Sequence, residues 1–495
     1  MFGRYRHSPD IQQDQSPGGM ATGTGWESRI PTLFLVIGFL IGVAYVFALP
    51  PMQTPDEMMH FARIYSVSKG VCLPSPDIDM PQSFEQLHET FPPWLETHRL
   101  ITVGDLLKSF DVRLNESEMA GNGRERSLDG FINQNQNSCV PYLPSALAMY
   151  AGRHAGLSPL GIMYGCRIVN LMVFLAFVFF SLRMLPGFRP ILFCVSLMPM
   201  TVHQAVSTSA DSFTYSVSFL FISYVLRLAY DREIPTLRVH HYAVFTLLLM
   251  AVVLSKVMIF MIVLLLLIPG EKFPSRRRRW LTFASCLVIA IAVAAVWQQA
   301  NTLNSQRQIE ERLLRETKGL PGVDLSANIK FMYEHPVDMG IIFFNSATDL
   351  EYTYANLKDL VGTLGWLSIE LPDWLIWFYV GVLLASALIQ SGQIRLNLSA
   401  RVIIGLFVAV GAIYLMMYGW VFETPKFVLQ SLDEWKHIRV YTQGRYLIPL
   451  MFPLLLLFSN HKIRLDSRYF GAIAMGGVLV SNGIALYAIR YTYYQ

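Results

Sequence analysis

Residues 30–61 read IPTLFLVIGFLIGVAYVFALPPMQTPDEMMHF, an uncharged run followed by prolines and then by Asp56, Glu57 and His60. A bilayer core needs roughly 20 apolar residues per helix, and Ile30–Leu49 supplies them. The run is too long for a signal-peptide core of about 7–15 residues, so it reads as an uncleaved anchor. Pro50, Pro51 and Pro55 end the helix and set the direction in which the chain leaves the membrane. Two adjacent carboxylates at that exit are either a wet loop or a site at the membrane face.

Working outward, the same kind of run recurs along the chain. The 495 residues are 53% hydrophobic and only 15% charged, against about 25% charged in soluble domains. Uncharged or nearly uncharged segments fall at 30–50, 141–157, 161–184, 190–206, 212–229, 241–269, 280–297, 375–390, 400–420, 445–459 and 470–490. The chain is therefore expected to be an all-α polytopic membrane protein with about 11 spans, between 10 and 13. Residues 1–29 are expected to form a disordered cytoplasmic tail ahead of one membrane domain, 30–495.

Orientation follows from basic residues. The net charge is +4, and its main concentration is Arg276-Arg277-Arg278-Arg279 beside a span. Such a run is a positive-inside signal, and nothing in the pattern points to nucleic acid. A cytoplasmic N-terminus puts the short loops 270–280, 391–401 and 460–469 inside, and Arg189, Arg232 and Arg238 outside. The long loops 51–140, 298–374 and 421–444 then lie outside, and loops of that length usually carry function. The segment 241–269 is long for one pass: it is either a tilted helix or two short helices meeting at Lys256.

Candidate chemistry gathers at the outer mouths. Glu57–Lys69 has helical spacing and is expected to lie along the interface, with Asp56 at its N-terminal end. Glu57 and His60 form Glu-x-x-His, a ligand spacing without a partner motif, so no dedicated metal site is assigned. A loosely held divalent cation, Mg or Mn, at Asp56 and Glu57 stays open, and no other cofactor is implied. Arg63 lies one turn further on. Lys256 sits in an apolar run, where a charge costs on the order of 2.5–3.5 kcal/mol, and is a functional candidate by default. Arg445 stands in YTQGRYLIPL beside Gln443, Gly444 and Tyr446, and a guanidinium suits phosphate. Asp211 falls at an expected cytoplasmic end, which makes it either structural or a sign that this segment is misplaced. Asp77-Ile78-Asp79 reads as a solvated turn. Cys72 and Cys139 share the first long loop and are disulfide candidates; Cys166, Cys194 and Cys286 lie in apolar segments as packing residues.

In order along the chain come PDEMMHF, YLPSALAMYAGRHAGLSP, CRIVN, LMPMTVHQAVSTSADSFT, LSKVMIFMIVLLLLIPGEKF, YEHP, LGWLSIELPDW and QGRYLIPL. This series resembles the bacterial membrane family catalogued as domain of unknown function 2142, over residues 31 to about 490. That family in turn resembles the glycosyltransferase-C superfamily of polytopic enzymes. The resemblance implies a multi-pass bacterial inner-membrane transferase whose site faces away from the cytoplasm. Its donor would be a polyprenyl-phosphate sugar and its acceptor a glycan or lipid-linked glycan. Asp56 would then be the general base, with Glu57 orienting it. Lys256 and Arg445 would hold phosphate, and His60, Arg63, Gln443 and Tyr446 would contact sugar or phosphate. A lipid-linked oligosaccharide flippase and a glycan polymerase are the alternatives. The sequence sets no oligomeric state.

Overall fold

The computed structural model describes residues 26–73, 80–117, 137–304, 325–389, 394–424, 438–440, 442–459 and 467–494. Residues 1–25 of the expected tail, the Asp77-Ile78-Asp79 turn and most of the loop 421–444 lie outside the described residues, while 26–29, expected as disordered tail, begin the first helix. Among the described residues the protein is all-α apart from a short hairpin pairing Thr363–Leu364 with Ile369–Glu370. Seven described helices are long and apolar enough to cross a membrane: Trp26–Ala48, Pro159–Met184, Ala210–Tyr230, Val239–Lys256, Arg276–Asn301, Leu398–Phe422 and Gly471–Tyr493. The other expected spans are shorter or broken.

Small residues set how tightly the first helix packs. Gly38 and Gly42 are four apart, and a Cβ on Gly38 would meet Leu175 at 2.8 Å. A Cβ on Gly42 would collide with Leu171 of the same neighbouring helix. In lipid, where apolar burial gives little drive, such close backbone approach is how helices associate. The opposite side of this helix exposes Val36, Phe39, Leu40 and Phe47.

Three expected spans take different forms. Segment 190–206 is two short buried helices, Arg189–Ser196 and Pro199–Ala205, because Pro199 ends the first hydrogen-bond ladder. The carbonyls left near the break are taken up: Asn482 Nδ2 donates to Leu197 O at 2.9 Å, and the Tyr379 hydroxyl to Cys194 O at 2.7 Å. Segment 241–269 is the two-piece alternative. Val257 adopts φ 54°, and a 3₁₀ helix Ile259–Leu267 runs back, so that Leu237 N reaches Lys272 O at 2.8 Å. Segment 141–157 is a 12-residue helix, Leu143–His154, about 18 Å long and too short for a bilayer. It folds back on the start of Pro159–Met184, with Gly152 against Ile162 and Cys166 Sγ on Ser145 O.

These changes also move Arg189, Arg232 and Arg238. Arg189 Nη1 donates to Glu27 O, and Lys272 Nζ to Asp231 O. All three arginines therefore share the end of the bundle with Arg276–Arg279, opposite the first loop. At the other end Ile101 N donates to Tyr493 O at 2.7 Å, joining the first loop to the last helix.

The helix Glu57–Ser68 is not interfacial. Every residue from Glu57 to Val67 except Met59 is buried, because Phe61 and Tyr65 pack on Phe84 and His60 packs on Tyr142. Arg63 stitches its far end: its guanidinium donates to Val71 O, Cys72 O and Asn137 O. Those carbonyls flank the Cys72–Cys139 disulfide, whose Cα atoms are 5.0 Å apart. Denatured protein should alkylate three cysteines without reductant and five with it; mass shifts for five without reductant would remove the bond.

Candidate functional site

The prolines that end the first helix deliver two carboxylates to two different places. Glu57 turns inward. Its Oε1 accepts from Arg167 Nε at 2.9 Å and its Oε2 from Arg167 Nη2 at 2.7 Å, both side chains fully buried. Arg167 also donates to Leu49 O and Pro50 O, so one guanidinium fixes the whole exit turn. Glu57 is thus occupied structurally, and the Asp56–Glu57 pair offers no joint cation site. No group of three metal-ligating side chains occurs among the described residues.

Asp56 turns the other way. Its backbone is left-handed, φ 56° and ψ 20°, and its side chain makes no capping bond to the helix it precedes. A non-glycine residue held in this region is strained, and such strain concentrates at functional sites. The carboxylate is 34% exposed and lies 4.0 Å from Arg445 Nη2. Burial pushes its pKa up, Arg445 and Lys256 pull it down, and Asp211 pushes it up again, for a net rise.

Around it the structure gathers charges from three further elements. Asp211, in the first turn of Ala210–Tyr230, pairs with Lys256 and lies 3.8 Å from Arg445 Nε. Lys256 is carried in by the reversal at Val257, and its ammonium stands 3.9 Å above the Tyr446 ring. Arg445 is 4% exposed; the Tyr215 hydroxyl donates to its carbonyl, while its Nη1 has no hydrogen-bond partner among the described residues. A buried donor without a partner costs roughly 1–3 kcal/mol, so it marks a place for an acceptor. Beside this group opens a small pocket lined by Asp211, Lys256 and Tyr446 with the aromatic Tyr215, Tyr414 and Tyr418.

The remaining candidates divide. Tyr446 belongs to the group. Gln443 stands at the start of the 3₁₀ turn Gly444–Leu447, its Oε1 buried and unbonded among the described residues. Gly444 serves packing rather than ligand approach, since a Cβ there would collide with Asn356 O and lie 2.6 Å from Leu360 N. His60 donates or accepts at Tyr142 OH, 2.7 Å away, and burial lowers its pKa to about 3, so it is neutral. Arg63 is spent on the disulfide loop. Sequence reasoning left Asp211 without a role and passed over Arg167: both are charges inside otherwise uncharged stretches, which is itself the available signal.

The fold and this site define an all-α polytopic membrane protein with a partly buried cluster of two carboxylates and two cations at one end of its bundle. The family described as "Predicted membrane protein (DUF2142)" matches residues 39–454, and the chain belongs to it. No curated protein matches the chain, and no solved structure does.

Proposed function

We propose that the protein is a glycosyltransferase that moves a sugar from a polyprenyl phosphate to a glycan or lipid-linked acceptor. The observation that carries this reading is a part-exposed carboxylate, Asp56, 4.0 Å from a buried Arg445 with a free donor. A base for the acceptor hydroxyl and a donor for phosphate are the two groups that such a transfer requires.

In this reading the acceptor oxygen attacks the anomeric carbon as its proton passes to Asp56. The bond from that carbon to the phosphate oxygen breaks, and polyprenyl phosphate leaves against Arg445 Nη1. Lys256 adds positive charge from the same side, while Asp211 keeps both cations oriented. One displacement inverts the anomeric centre. The aromatic cavity gives the donor an apolar flank inside the bilayer. We read eleven passes, counting the broken pair at 189–205 and the hairpin at Val257, in a glycosyltransferase-C-like arrangement. The basic end then faces the cytoplasm of a bacterial inner membrane and the site faces away from it.

Because the Asp56 pKa is raised, the acid limb of kcat/KM should lie above the ordinary carboxylate value of about 3.9. Activity is present above that limb and falls as pH drops through it. A limb at or below the ordinary value would remove Asp56 as the base.

The reading is tested by mass spectrometry of envelope glycans and polyprenyl-linked sugars in a deletion strain. A glycan lacking one sugar, with its polyprenyl-phosphate donor accumulating, is the expected result. Complete lipid-linked oligosaccharides accumulating on the cytoplasmic side would make the protein a transporter instead. Unpolymerised repeat units on diphosphate lipids would make it a polymerase.

A further inference from the structure

The first loop carries a short helix, Val103–Asp111, that no part of the proposed reaction uses. Its N-terminus is fixed by a capping box between Thr102 and Asp105, and Arg99 pairs with Asp105 at 2.9 Å. At 100° per residue, Val103, Leu106, Leu107 and Phe110 fall on one side and Asp105 and Lys108 on the other. Ser109, 5% exposed, and the half-buried Leu106 face the protein, whereas the rest of the apolar side is open: Val103 is 69%, Leu107 62% and Phe110 47% exposed. An amphipathic helix that turns its apolar side outward has its burial partner elsewhere.

The surroundings say what that partner is. Phe110 stacks on Tyr164 with ring centroids 6.0 Å apart, and Tyr164 in turn meets Phe47 at 5.5 Å. Phe47 is in the last turn of the first membrane helix and continues its exposed stripe of Val36, Phe39 and Leu40. The exposed apolar side of Val103–Asp111 is therefore continuous with the surface that the first helix presents to lipid.

We infer that Val103–Asp111 is an interfacial helix of the membrane, with Val103, Leu107 and Phe110 sunk among the acyl chains of the leaflet on the first-loop side. Lys108 and the Arg99–Asp105 pair then stand at the headgroup level, as snorkelling and polar faces do. Its partner is the lipid surface itself, independent of what reaction the protein catalyses. The helix ties the disulfide-bonded loop to the bilayer beside the exit turn that carries Asp56.

Nitroxide labels at Leu107→Cys and, separately, Lys108→Cys test this in phospholipid vesicles, with labelled wild type as the background for the three free cysteines. Collision with oxygen and with a water-soluble nickel chelate is read at each position. Oxygen should dominate several-fold at residue 107 and the chelate at residue 108. Dominance of the chelate at both positions would put the helix in water and overturn the inference. An immobilised spectrum at 107 reached by neither would show that protein covers the face, and would overturn it equally. Val103→Cys reads the same face should Leu107→Cys fail to insert.

Discussion

Asp56→Asn is expected to lower sugar transfer at least 100-fold while leaving membrane insertion, yield and the Cys72–Cys139 bond unchanged. The amide keeps the size of the side chain and tolerates the left-handed backbone, which Asn adopts about as readily as Asp. It cannot accept a proton, and loss of a general base typically costs 10²–10⁴-fold. Removing the carboxylate also frees Arg445 from one of its two acidic neighbours, so phosphate binding should hold or tighten. The informative signature is therefore a fall in kcat with donor affinity kept. Near-wild-type transfer would sink the role, and so would equal losses in donor affinity and rate, which would make Asp56 a binding group. The variant that separates base from fold is Asp56→Glu, which keeps the charge but moves it by one methylene and should recover only part of the rate.

How far the sequence reveals this arrangement depends on which physical signal each part leaves. Apolar runs show the membrane class and most of the long helices, since length and lack of charge are local properties. They cannot show that 141–157 stops short of a crossing or that 241–269 folds back on itself. Those outcomes depend on contacts with residues outside the runs, such as Gly152 with Ile162 and Leu237 with Lys272. In the eleven-pass reading proposed above these two changes cancel in parity, while Asp211 moves from the basic end to the site. Asp56, Lys256 and Arg445 stand out as charges beside or inside apolar runs, and the structure brings all three together. Glu57 stands out for the same reason but serves a different purpose. Adjacent residues in a turn point apart, and only the position of Arg167 decides which carboxylate is consumed by the fold.

That division gives the second large effect. Glu57→Gln should cost about 3–5 kcal/mol, the range for breaking a buried ion pair from one side. The loss is more than one hydrogen bond: the Arg167 charge, fully buried, would be left with a neutral amide and the carbonyls of Val46, Leu49 and Pro50. Those oxygens close the end of the first helix and the exit turn, so the strain falls next to where Asp56 is held. Expression in the membrane and the thermal midpoint in detergent should both drop sharply. The fraction that folds should retain most of its activity per molecule, because Glu57 faces away from the Asp56–Arg445 gap. A catalytic or metal-holding Glu57 would produce the opposite pattern, a well-folded variant with little activity. The double variant Glu57→Gln/Arg167→Met removes the orphaned charge as well. Its stability should recover above that of Glu57→Gln alone, since an unpaired buried charge costs more than the neutral amide left behind. If the double variant is as unstable as the sum of its single variants, the two side chains do not act as a pair, and the exit turn is held by something other than Arg167.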